Sequence, residues 1–330
     1  MTDHFRALVV NKADAFTVEV NELTLADLPA GDVLIKVAYS SINYKDSLAT
    51  IPNGNIVKSY PFVPGIDLAG VVVSSRDSRF KEGDEVIATS YEIGVSHFGG
   101  YSEYARIPAE WIVPLPQGLT LKEAMTIGTA GFTAALSVLR LEESGVSKEK
   151  GKVLVTGATG GVGSFAVSFL STLGYDVEAS TGKESEHAYL KQLGATSVVS
   201  REEVYSGELK ALAKQKWAAA IDSVGGEPLA SLISQIQYGG SVAASGLTAG
   251  TKLPATVFPF ILRGINLLGI DSVYCPMETR LKVWDCLATD FKPANLQAFI
   301  QQEVTLEQLP EVLPILLKGQ AKGRILVKLS

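Results

Sequence analysis

The stretch VTGATGGVGS, residues 155–164, spaces small residues in a way suited to holding a phosphate. It follows the apolar run KVLV, which reads as a buried strand, and it opens an apolar segment that reads as a helix. Gly157 permits the turn. Gly160 and Gly161 let backbone approach a pyrophosphate, and Gly163 lets helix pack closely on strand. With Thr159 and Val162, these residues are the candidates to meet the phosphates of a dinucleotide at the helix N-terminus. The spacing GATGGVG is not a strict G-x-G-x-x-G, so a small-residue turn without a ligand stands as the alternative.

About twenty residues further on, a dinucleotide-binding unit ordinarily offers an acid to the adenosine ribose. Here that place is taken by VEASTGKES, residues 177–185. Glu178 falls two residues before the expected strand tip, while Glu184 and Glu186 come after the turn. The tip itself carries Ser180, Thr181, Gly182 and Lys183, and Arg201 follows the next predicted strand. Hydroxyls, space and positive charge suit a ribose 2′-phosphate, which a carboxylate would repel. The expected cofactor is therefore NADPH; an ordinary polar strand-to-helix turn is the other reading.

Such residues need a sheet beneath them. From Lys152 onward, apolar runs alternate with helical segments, and six predicted strands with helical crossovers imply a doubly wound, parallel α/β sheet. Gly246 and Leu247 close the fifth strand, at the carboxyl edge where ligands bind. The first third reads differently. DVLIKVAYSSI, GIDLAGVVVSS and DEVIATS are closely spaced strands with turn signals between them, which predicts a compact barrel-like domain. LKEAMTIGTAGFTAALSVLRL reads as two helical segments with small residues between them, and GRILVKL near the end as a strand returning to the first domain. The expected division is a catalytic domain of residues 1–122 and 295–330, and a cofactor domain of residues 123–294.

Composition narrows the classes. The 330 residues carry a net charge of −6, with no basic run, which argues against general nucleic-acid binding. The N-terminus shows no leader pattern, and apolar runs such as AAAI fall far short of a membrane span, so a cytoplasmic protein with no membrane partner is expected. Two cysteines, Cys275 and Cys286, and three histidines, His4, His97 and His187, share no metal-like spacing.

Segments along nearly the whole chain resemble the zinc-independent quinone oxidoreductases of the medium-chain dehydrogenase/reductase superfamily. They include SSINYKD, PFVPGIDLAGVV, GTAGFTAALSV, VTGATGGVGS and PFILRGINLLGIDSV. The likeness is greatest to the acryloyl-CoA reductase branch, the YhdH/YhfP type. The resemblance implies a GroES-like catalytic domain beside a Rossmann domain. Zinc-using relatives carry Gly-His-Glu where this chain has Gly65-Ile66-Asp67, and Ile66 offers no ligand atom. No metal is therefore expected.

By the same resemblance, NYKD lines the nicotinamide end of the site, with Asn43, Tyr44 and Asp46 as the catalytic candidates. Tyr44 reads either as a proton donor or as a ring that only packs against nicotinamide; Asn43 and Asp46 then cap the following turn. Thr129 is expected near the nicotinamide ribose or phosphates, and Ser272 near the nicotinamide amide. The implied activity is NADPH-dependent hydride transfer to an activated double bond, with acryloyl-CoA as substrate. A quinone is the alternative substrate, and a non-catalytic NADPH-binding redox sensor the alternative class. Relatives pair their sixth Rossmann strand across a two-fold axis, so a homodimer is expected.

Overall fold

The computed structural model describes residues 4–12 and 15–329. The reading of a leaderless N-terminus falls partly on residues 1–3, outside that range. The chain divides into two compact units. One comprises the residues up to Thr129, with Val273–Thr289 and those from Asn295 onward; the other comprises Ala130–Ser272 and Asp290–Ala294. The division falls at Thr129, inside a helix, rather than at residue 122, and residues 273–289 join the first unit instead of the second.

The first unit opens with an antiparallel hairpin of β1 (His4–Lys12) and β2 (Phe16–Thr24). Next come β3 (Val33–Ser41), the short α1 (Tyr44–Ala49), β4 (Asp67–Ser75), β5 (Glu85–Thr89), β6 (Tyr104–Ile107) and β7 (Ile112–Pro114). Alternation along these strands buries Val33, Ile35 and Val37 of β3 with Leu68 and Val72 of β4 in one core. Then α2 (Leu121–Glu143) leaves this sheet. It is long and apolar enough to resemble a membrane span, which the short-run reading of the sequence missed, but most of that stretch is buried in the protein. Gly128, at φ 51° and ψ −161°, breaks it into the two expected segments.

The second unit runs β8 (Val153–Val155), α3 (Gly161–Thr172), β9 (Val177–Ser180), α4 (His187–Gln192), β10 (Ser197–Val199) and α5 (Arg201–Val204). It continues with β11 (Trp217–Asp222), α6 (Gly226–Gln235), β12 (Ile236–Ala244), α7 (Phe258–Arg263) and β13 (Asn266–Gly269). The six strands are parallel, in the order β10-β9-β8-β11-β12-β13, the doubly wound topology expected. Every residue of β8 and β11 is buried, as a parallel sheet covered on both faces requires.

The chain then returns to the first unit through α8 (Met277–Ala288), β14 (Ile300–Val304), α9 (Leu309–Leu317) and β15 (Arg324–Lys328). β15 lies antiparallel to β3, with Leu326 opposite Ser41. That pairing carries Arg324, from the end of the sequence, to the place where α1 begins.

Candidate active site

In the first unit, four elements meet at one carboxylate. Asp67 begins β4 and is fully buried. Its Oδ2 accepts from Ser41 Oγ at 2.7 Å, Asn43 Nδ2 at 2.8 Å and the Thr129 backbone N–H at 3.0 Å. Its Oδ1 accepts from Thr129 Oγ1 at 2.5 Å. The counter-charge is Arg324, 3% exposed, whose Nη2 stands 3.7 Å from Asp67 Oδ2. The same guanidinium donates to Ser41 Oγ, Asn43 Oδ1 and the carbonyls of Ile42 and Thr126. Burial lowers its pKa, against the pull of Asp67 and Asp46. Every donor has an acceptor, the condition on which a buried ion pair is tolerated.

Gly128 is part of this arrangement. A Cβ there would stand 2.7 Å from both Arg324 Nη2 and Asp67 Oδ2, and 2.8 Å from Ser41 Oγ. The break in α2 thus brings the Thr129 backbone N–H onto the carboxylate, and only glycine leaves room for the ion pair beside it.

A second carboxylate, Asp46, fixes the start of α1. It accepts from the backbone N–H of Asn43 at 2.8 Å and of Ile66 at 2.9 Å. Burial, with repulsion from Asp67, raises its pKa to about 7, against those hydrogen bonds. Beside it, buried Tyr101 has its pKa pushed well up by burial and by Asp46. Asn43 is therefore held by backbone to Asp46 and by side chain to Asp67 and Arg324. Of the three residues expected to be catalytic, Asn43 and Asp46 are buried in holding roles, while Tyr44 is 38% exposed at the first turn of α1. His97 sits in a structural contact: its Nε2 lies 2.7 Å from the Arg106 carbonyl and its ring meets Trp111 edge-on.

In the second unit, the glycine loop joins β8 to α3. Gly160, which has no side chain to cap with, stands at the N-terminus of α3, and among the described residues no side-chain cap bonds that end, which leaves the first N–H groups for an anion. A Cβ on Gly163 would stand 2.4 Å from the Gly157 carbonyl, so close approach of helix to strand is what glycine provides there. The turn after β11 packs against this loop. Buried Asp222 accepts from Thr156 Oγ1 at 2.6 Å and the Gly225 N–H at 2.7 Å, and burial raises its pKa. Gly246 lies so close to the Ser223 carbonyl that a Cβ would stand 1.9 Å away. Thr159 and Ser272 are buried, and Leu247 is exposed.

At the tip of β9, Glu178 does not face a ligand. Its carboxylate accepts from Lys152 Nζ, Ser197 Oγ and Trp217 Nε1, at 3.0, 2.6 and 2.7 Å. Ser180 and Thr181 are buried, and Thr181 Oγ1 accepts from the Lys183 N–H. Arg201, exposed at the start of α5, lies across Gly182, where a Cβ would be 2.8 Å from its Nε. Gly182 is thus the space in which that guanidinium rests. Arg263 donates to the carbonyls of Ser234, Ile236 and Ala213.

The sequence reading missed Asp67, Arg324 and Ser41 as site-forming residues. The one local signal was an acid where zinc relatives carry theirs. Among the described residues, no three His, Cys, Asp or Glu side chains converge as metal ligands.

Comparison with known proteins places these features in context. A family described as alcohol dehydrogenase GroES-like domain matches residues 29–117, and one described as zinc-binding dehydrogenase matches residues 161–289. Bacillus subtilis YhfP, named as a quinone oxidoreductase, is 62% identical over the full length of both chains. The acrylyl-CoA reductase AcuI of Ruegeria pomeroyi is 48% identical over 99% of each. The crystal structure of YhfP with NAD bound superposes at a TM-score of 0.96, covering 98% of this chain and 99% of that one. That of Escherichia coli YhdH with bound NADPH, 46% identical, superposes at 0.95, covering 98% and 100%.

Proposed function

The chain belongs to the medium-chain dehydrogenase/reductase superfamily and is an oxidoreductase using a nicotinamide dinucleotide; we propose that its reaction is NADPH-dependent reduction of an activated carbon–carbon double bond, acryloyl-CoA to propionyl-CoA. The observation that carries the choice of cofactor is the β9 tip. Its one acid, Glu178, is bound to Lys152, Ser197 and Trp217, while Arg201 lies over Gly182 next to Lys183. A 2′-phosphate would meet Arg201 and Lys183 there, with the strand's own acid engaged elsewhere.

The glycine loop and the uncapped N-terminus of α3 suit the pyrophosphate. The bound cofactor supplies a hydride, and this chain supplies orientation and polarity. Ile66 gives a metal no ligand, and Asp67 is held by Ser41, Asn43, Thr129 and Arg324. Electrophilic activation must then come from hydrogen bonds and from the substrate's own conjugation, which favours an enoyl thioester or a quinone over a simple carbonyl. Tyr44, the exposed member of NYKD, is the proton donor in this reading. Quinone reduction is the competing activity, supported by the name of YhfP.

The test is NADPH and NADH oxidation with acryloyl-CoA, with a quinone and with neither. Turnover with acryloyl-CoA, falling about a hundredfold in Tyr44→Phe, is expected. Turnover with the quinone alone transfers the assignment to that reaction, and turnover with neither sinks both.

The outer edge of β13 has no strand partner among the described residues, and neighbouring Val257, Ile261 and Leu262 are more than half exposed. We read this face as the contact between two copies. Light scattering should give twice the chain mass; a monodisperse monomer would rule it out.

A further inference from the structure

Gly182, at the tip of β9, is a glycine that its backbone does not demand. Its φ lies outside the left-handed region that favours glycine. The three atoms a Cβ there would stand nearest all belong to Arg201: Nε at 2.8 Å, Cζ at 3.0 Å and Cδ at 3.1 Å. Gly163 and Gly246 differ, since a Cβ on each would strike backbone, that of Gly157 and of Ser223. What the missing side chain leaves room for at residue 182 is one guanidinium.

Both partners in this contact are held by backbone. The Thr181 N–H donates to the Val199 carbonyl at 3.1 Å, and Ser180 Oγ to the Ser200 carbonyl at 3.4 Å, which ties the end of β10 to the tip of β9. Ser200 then forms a capping box with Glu203, so that Arg201 opens α5 from a set place beside Gly182. Its guanidinium has no hydrogen-bond acceptor among the described residues, unlike those of Arg263 and Arg324. The tip also adjoins the glycine loop: the Ala158 N–H donates to the Ser180 carbonyl at 3.2 Å. A ribose linked to a diphosphate on that loop therefore has the β9 tip beside it.

We propose that Gly182 is a specificity-determining residue of the cofactor site: by carrying no side chain it seats Arg201 where a ribose 2′-phosphate arrives, and a single methyl group there would turn the protein away from NADPH. The proposal rests on the 2′-phosphate reading above and deepens it. Preference for the phosphorylated cofactor would then depend on a residue with neither charge nor polar side chain.

The test measures the dissociation constants of NADPH and NADH by calorimetry on the full chain, with no substrate present. Gly182→Ala should weaken NADPH about tenfold, the worth of the displaced charge-assisted contact, and NADH less than about twofold. Arg201→Ala should match it, and the double variant Gly182→Ala/Arg201→Ala should do no more than either alone. The urea midpoint of Gly182→Ala should stay at the wild-type value, since only a flexible side chain has to move. Should the methyl group unfold the protein instead, the double variant removes the side chain it meets and should fold again; a double variant that stays unfolded overturns the proposal. An unchanged NADPH affinity in Gly182→Ala overturns it as well, as do additive losses in the double variant; with NADPH still preferred by the wild type, the cofactor reading stands. A wild-type protein without preference for NADPH, and with the same affinities in Arg201→Ala, removes that reading and the proposal with it.

Discussion

The two polar centres of this protein are built on opposite terms. Around Asp67, in the first unit, the charges are buried and each polar atom is matched by a partner drawn from β3, α2 or β15. At the tip of β9, in the second unit, Arg201 is exposed and its guanidinium lies along a glycine. The first arrangement fixes geometry and tolerates no loss of a member. The second, in the reading proposed above, would offer charge to a 2′-phosphate from an exposed side chain, at little cost to the fold.

The sharpest test of that contrast compares stabilities. Arg324→Ala leaves the Asp67 carboxylate buried without its cation, and should cost about 3–5 kcal/mol in urea unfolding. Lys183→Ala, outside the core, should change stability by no more than about 0.5 kcal/mol. Similar losses in the two variants would break the comparison. Gly128→Ala belongs with Arg324→Ala, since its Cβ would enter the ion pair at a φ of 51°.

Cofactor selection should show the reverse. Lys183→Ala and Arg201→Ala should each weaken NADPH about tenfold, the loss of one charge-assisted contact, with NADH affected less than about twofold. Titration by cofactor fluorescence measures both. The crystal structure of YhfP holds NAD and that of YhdH holds NADPH, so this ratio is the measurement that separates the two possibilities here. Equal weakening of both cofactors would remove the 2′-phosphate from the argument.

The same contrast explains what was legible in the sequence. The six-stranded sheet, the glycine loop and the break at Gly128 are local patterns, each written within a few residues. The role of Glu178 was half legible: its early place in β9 showed it was not at the tip, but nothing local named Lys152 or Trp217 as its partners. The ion pair was invisible. Asp67 and Arg324 lie at opposite ends of the chain, joined only because β15 pairs with β3. The same return strand brings Arg324 to Asn43, while Asp46 holds the start of α1 through the N–H groups of Asn43 and Ile66, a role that spacing in NYKD does not distinguish from catalysis.

The smallest effect tests whether the buried centre is as finely balanced as its geometry implies. Asp46 has its pKa raised from 3.8 to about 7, first by burial and then by Asp67. The folded state therefore holds the Asp46 proton over a range in which the unfolded chain has released it. Stability from this group is fully present below pH 3.8 and is lost as pH rises through about 7. Asp46→Asn cannot titrate, though it gives up one of the two N–H contacts at every pH. Wild-type stability measured relative to this variant should thus decline between pH 5 and pH 8, by on the order of 1 kcal/mol. The slope, not the offset, is the informative quantity: a constant difference across that range would mean that Asp46 is ionised throughout. The two N–H donors would then outweigh both burial and the neighbouring charge of Asp67.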